Sequence, residues 1–152
     1  MNKEEKRISR YISLQAIYAY EISGDQDILI YKQFIHHFRD DFSEYYGGLS
    51  SSQLNFSEKL YISSIENKDY IDSLIKERLK NWDISRLAII DKLILRMSAA
   101  EMLFINEVPP KVSIVEGVEI AKVFSTKDSS NFVNGILDAI YNEVYEEPKE
   151  EN

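Results

Sequence analysis

The chain contains no cysteine. Disulfides, thiolate zinc sites and cysteine nucleophiles are thereby excluded, and the composition fits a reducing cytoplasm. Glycine and proline are scarce, five and three among 152 residues, which favours long helices. No apolar run approaches the length of a bilayer span, and no apolar stretch follows the charged N-terminus as in a signal peptide. A cytoplasmic protein with no membrane partner is expected. Phosphate-cradling glycine loops, H-E-x-x-H and G-x-S-x-G are all missing. His36 and His37 are the only histidines, and adjacent helical positions face about 100° apart, so they are poorly placed to share a metal. No metal, no cofactor and no enzymatic activity are expected. Asn55-Phe56-Ser57 matches a glycosylation sequon, a chance match without a secretion signal.

What is present suits one compact domain with a real core: 44% of residues are hydrophobic. Lys and Arg number 18 against 26 Asp and Glu, a formal charge of −8 that argues against a non-specific polyanion binder. The charge is segregated. Glu143, Glu146, Glu147, Glu150 and Glu151 crowd the C-terminus against Lys149, and residues 147–152 read as a solvated acidic tail. The opening segment is the opposite, with Lys3, Lys6, Arg7 and Arg10 against Glu4 and Glu5.

Periodicity is helical throughout, with no useful strand-like alternation and no internal repeat. A first helix is predicted from about Glu5 to Ile22, ending before Ser23-Gly24-Asp25, where Gly24 can take the left-handed cap position. Ile28 to Phe42 reads as a second helix, and Gly47 to Gln53 reads as a loop. Phe56 to Ile65 and Tyr70 to Trp82 are two further amphipathic stretches. Ser85 reads as the cap of a helix running to about Asn106, whose Leu87, Ile90, Leu93, Ile94, Met97, Ala100, Leu103 and Phe104 cover most of its circumference. A helix apolar nearly all round is normally buried among others, so this one is expected to be the central post.

Pro109 and Pro110 require a helix to end near Glu107. Ser113 and Glu116 then read as a capping box for a sixth helix, and Ser125 and Asp128 as the same arrangement before a seventh. Asn134-Gly135 alone signals a hairpin turn, but Val133 to Val144 keeps helical spacing across it. Gly117 and Gly135 are therefore helix-interior glycines, each costing up to about 1 kcal/mol relative to alanine. Close passage of another backbone is the expected compensation.

Along the first helix, Lys3, Lys6, Arg7 and Arg10 fall within an arc of roughly 100°, with Ile8, Ile12, Ala16 and Ala19 opposite. Further along, Leu14, Ile17 and Tyr18 turn the basic face apolar. An ordinary basic surface helix and a track for single-stranded nucleic acid both fit. Phe132 sits at the edge of its apolar arc, in a first turn shared with Lys127 and Asn131. It is either a half-buried packing residue or a platform for base stacking. Asp91 intrudes on the apolar arc of the central helix, as a solvated gap or a docking point for a basic partner.

Several ordered blocks resemble the NusB transcription antitermination family, outside about residues 26–55. Arg7-x-x-Arg10 followed by Leu14-Gln15-Ala16-Ile17-Tyr18 is similar to its opening helix. Ile94-Leu95-Arg96 with Glu101-Met102-Leu103 is similar to its central helix. Val108-Pro109, Lys111-Val112, Glu116, Glu119-Ile120-Ala121-Lys122 and the block from Phe132 to Asp138 resemble its closing signature. Val115 stands where the family often has asparagine.

The resemblance implies an all-α fold of about seven helices in two small subdomains, about 1–66 and 67–146. It implies binding of single-stranded boxA RNA jointly with the ribosomal protein NusE, within an RNA polymerase antitermination complex acting on ribosomal RNA operons. It further implies that Arg7 and Arg10 are RNA-contacting positions, Phe132 lies on the RNA side, and Tyr18 and Asp91 face NusE. Two other readings stay open. One is a protein-interaction module that binds NusE with weak RNA contact. The other is a relative of the RNA-binding appendage of an RNA methyltransferase, against which no methyl-donor domain follows Asn152. A free monomer and a homodimer that hides its RNA face are both compatible with the sequence.

Overall fold

A computed structural model of the chain describes residues 1–24, 29–79 and 83–146. Among these lie seven α-helices, one short 3-10 turn and no strand. The helices are α1 (Lys3–Ser23), α2 (Ile30–Tyr46), α3 (Ser51–Glu66), α4 (Lys68–Arg78), α5 (Ile89–Phe104), α6 (Pro110–Phe124) and α7 (Lys127–Tyr145). The chain divides into two compact units, the first ending at Glu66 and the second beginning at Asn67.

In the first unit α1 packs on α3 through small side chains that let the two helices approach. Ser9, Ser13 and Ala16 of α1 and Ser57 and Ser64 of α3 are all buried, and the Ser13 hydroxyl donates to the Ser57 carbonyl at 2.6 Å. Helix α1 starts at Lys3, two residues before the sequence-based boundary, because Asn2 caps it by accepting the Glu5 amide at 2.8 Å. Gly24 ends it in the left-handed conformation, φ 70°, as expected; Asp25 lies outside the described residues. Helix α2 runs beyond Phe42 to Tyr46 and stops at Gly47, φ 77°; Ile28 is outside the described residues. Only Tyr31 and Phe42 of α2 are buried. Its aromatic row Phe34, Phe38, Phe42 and Tyr46 has successive ring centroids 5.0, 6.0 and 6.3 Å apart.

The segment from Gly47 to Gln53 is only partly a loop, since α3 begins at Ser51. Ser50 and Gln53 cap it reciprocally: the Gln53 amide donates to Ser50 Oγ at 3.1 Å and the Ser50 amide to Gln53 Oε1 at 2.9 Å.

In the second unit α5 is the central post. Every residue from Leu93 to Met102 is buried, and α4, α6 and α7 all pack against the helix. Arg96, 1% exposed, reaches Asp72 of α4 through two parallel bonds, Nε–Oδ1 at 3.0 Å and Nη2–Oδ2 at 2.8 Å. Arg78 pairs with Glu143, and the Tyr145 hydroxyl donates to the Met102 carbonyl at 2.9 Å. Helix α4 ends at Arg78; Trp82, its expected end, lies outside the described residues.

Three expected caps are corrected. Ser85 does not cap the central helix. It lies in the 3-10 turn Ile84–Arg86, and its amide donates to Asp83 Oδ1 at 3.1 Å. Leu87 and Ala88 are extended, so the long helix starts only at Ile89 and ends at Phe104. Ser113 and Glu116 are not a capping box: Pro110 already stands at the start of α6, which buries both residues within its interior. Before α7 the cap is Thr126, whose hydroxyl accepts the Ser129 amide at 3.0 Å, one residue past Ser125.

Both interior glycines stand in helices, but no backbone explains them. At Gly117 a Cβ would lie 2.6 Å from Ser98 Oγ and 2.9 Å from Leu137 Cδ1, so side chains of α5 and α7 fill its place. At Gly135 a Cβ would meet nothing within 4 Å.

Candidate nucleic-acid interface

The basic stripe of α1 does not stay at the surface. Lys3 is exposed and Lys6 and Arg7 are half-buried, but Arg10 is only 2% exposed. The cause is Phe56, projected from α3 and itself buried. Its ring lies 5.7 Å from the Arg10 guanidinium carbon and 5.5 Å from Lys6 Nζ. Both cations face one aromatic ring, an attraction that strengthens when water is excluded. As the stripe runs along the helix it therefore passes from solvent into the core, where Leu14 and Ile17 complete it at 1% and 0% exposure. Lys3, Lys6 and Arg7 are the part of the stripe that keeps access to solvent. Tyr18, on the same helix, is 41% exposed.

In the second unit the first turns of α7 carry Lys127 and Asn131, both exposed, and Phe132, half-buried. Half-burial of Phe132 fits both sequence-based readings, a packing residue and a platform for base stacking. Asp91 is half-buried in the first turn of α5, where a carboxylate suits the helix N-terminus. It is neither a solvated gap nor an unengaged charge. Oδ1 accepts the Ser125 hydroxyl at 2.7 Å and Oδ2 the Ser129 hydroxyl at 2.8 Å. Ser129 Oγ is also 3.0 Å from the hydroxyls of both Ser125 and Thr126. Asp91 thereby anchors the start of α7, whose first two turns carry Lys127, Asn131 and Phe132.

The residues that periodicity missed are Phe56, Ser125 and Ser129. Phe56 carries no mark in sequence beyond an apolar position in the second turn of α3. The two serines flank the cap of α7, and their spacing from each other, i and i+4, is the only cue that one side chain engages both. Among the described residues no group of three or more His, Asp or Glu is placed to hold a metal ion, and no helix is long and apolar enough to cross a membrane.

The fold and several sequence blocks have counterparts in known proteins. Transcription antitermination protein NusB of Chloroherpeton thalassium is 42% identical over 139 residues, 91% of this chain but 62% of that relative's length. NusB of T. maritima is 30% identical, with a TM-score of 0.76 and 91% of each chain covered. The solution structure of NusB from Aquifex aeolicus is 23% identical, with a TM-score of 0.74 over 97% of this chain and 95% of that one. A structure of antitermination factors NusB and NusE in complex with dsRNA is 21% identical, with a TM-score of 0.76 over 93% and 99%. The last two likenesses are of fold. The NusB family model matches residues 7–142, from Arg7 of α1 nearly to the end of α7, and the chain belongs to the NusB family.

Proposed function

We propose that this chain is a transcription antitermination factor of the cytoplasm. It binds single-stranded boxA-type RNA jointly with NusE, within an RNA polymerase complex that reads through ribosomal RNA operons. The observation that carries this reading is the family match across residues 7–142, which takes in both α1 and α7. For NusE and RNA as partners, a NusB fold in complex with NusE and dsRNA adds support. The role is one of binding, not catalysis.

In this reading Lys3, Lys6 and Arg7 track phosphates, with Lys127 and Asn131 adding polar contacts and Phe132 stacking on a base. Arg10 acts through Phe56, holding the basic turn against α3 rather than meeting RNA itself. Tyr18 faces NusE. In the second unit Asp91 faces NusE as well; it fixes the α6–α7 junction, and its oxygens retain further acceptor capacity for a basic group.

The burial of Arg10 and the charge of −8 favour one competing reading, an interaction module that binds NusE with little RNA affinity. Titration of a labelled boxA RNA with and without NusE separates the two. Binding that tightens when NusE is added is expected. If NusE binds but RNA does not, even with NusE present, the interaction module replaces the proposal.

A further inference from the structure

Gly117 and Gly135 are both interior to helices, yet only Gly117 has an internal reason to lack a side chain. At Gly135 a Cβ would meet nothing within 4 Å, and its φ is not in the left-handed region. The residue is exposed near the middle of α7. Glycine there weakens the helix relative to alanine, and neither packing nor backbone conformation compensates. The missing Cβ leaves the α7 backbone open to approach from outside the chain.

The surroundings identify what approaches. On a helix surface the neighbours of position 135 lie three and four residues away. They are Asn131 and Asp138, both exposed, and Phe132 and Ala139, both half-buried. The Asp138 carboxylate repels a phosphate, so this patch does not suit the sugar-phosphate backbone. It suits a nucleobase. The base has an aromatic ring to stack on, a carboxylate and an amide to meet its polar edge, and a bare stretch of helix over which a flat ring can settle. We propose that Gly135 is a specificity-determining position, which admits one base of the bound RNA onto α7 beside Phe132 while Asn131 and Asp138 read its edge. This rests on the RNA-binding function proposed above.

Gly135→Ala adds a single methyl group. The variant and the parent are compared by thermal melting, by NusE binding without RNA, and by boxA RNA titration with NusE over a range of salt concentrations. A rise in Tm of roughly 2–4 °C is expected from the better helix former. RNA affinity falls about tenfold, as when a shaped pocket must accept an extra methyl. The slope of log affinity against log salt is unchanged because no phosphate contact is lost. NusE binding is unchanged. A variant that melts higher but binds RNA like the parent overturns the inference and leaves the RNA-binding function standing, whereas a parent that binds no RNA overturns both. A lower Tm assigns the glycine to the fold, and lost NusE binding assigns the surface to a protein; either refutes the inference.

Discussion

Asp91 accepts the hydroxyl of Ser125 at 2.7 Å, and its other oxygen receives Ser129 at 2.8 Å. One carboxylate at the head of α5 thus holds the end of α6 and the first turn of α7 together. Hydrogen bonds to a charged group contribute about 1.5–3 kcal/mol each in favourable cases, and half-burial places this pair at the lower end. Asp91→Ala should destabilise the protein by about 2 kcal/mol in urea unfolding. Asp91→Lys should weaken NusE binding further than a Ser125→Ala/Ser129→Ala double variant of matched stability loss. Equal effects from the two would confine Asp91 to a structural role.

The basic residues of α1 separate by burial. Arg7→Gln should reduce the magnitude of the RNA salt slope by about 0.7 per lost phosphate contact. Arg10→Gln, made at a position 2% exposed and stacked on Phe56, should lower Tm. If Arg10→Gln alters the slope and spares the melting temperature, Arg10 contacts RNA directly and leaves its seat on Phe56 to do so.

Truncating the central helix should be costly. Leu93 and Ile94 are fully buried, and replacing either with alanine should cost about 2–5 kcal/mol. Asp72→Ala, which strips the carboxylate from the buried Arg96, should cost about 3 kcal/mol, the lower end of the range for a broken buried pair because Asp72 is itself partly exposed. Chemical denaturation of the three variants checks both figures, and losses under about 1 kcal/mol would contradict this packing.

Tyr31 supplies a pH dependence. Burial raises its phenol from the ordinary 10.0 to about 12, a rise moderated by Ser57 and aided by Glu58. Its hydroxyl donates to the Leu54 carbonyl at 3.1 Å. The folded protein holds the neutral phenol more firmly than the unfolded chain does. That stability is complete below pH 10 and is lost as pH rises toward 12. Tyr31→Phe should be less stable near neutrality but lose less stability across that alkaline interval. Parallel curves for the two proteins would show that Tyr31 does not titrate with unfolding.

The elements whose evidence is local were legible in the sequence. The all-round apolar pattern of α5 became ten consecutive buried residues from Leu93 to Met102. Helical spacing correctly outweighed the turn signal of Asn134-Gly135. Ser50 and Gln53 carry a capping-box spacing that was present in the sequence but obscured by Gly47 and Gly48. Two other cap errors have separate causes: a 3-10 turn capped by Asp83 precedes α5, whose own N-cap, Ala88, makes no side-chain bond, and at α7 Thr126 takes the role one residue past Ser125. The candidate surface was legible only in part. Helical angles place Arg10 on the basic arc, but no angle reveals that Phe56, from a helix distant in sequence, lies under it. Asp91 likewise reads as an anomaly until Ser125 and Ser129 are folded back onto it.

Helix α2 rests on its unit through little more than Tyr31, Phe42 and one row of rings, while its remaining faces meet water. Segments with few buried anchors open at a smaller free-energy cost than the units they belong to. Residues 30–46 should therefore exchange amide hydrogens well ahead of α1 and α3, and a protease should make its first cut there. The aromatic row then acts as a latch of low strength, and the packing of α1 against α3 can outlast its release.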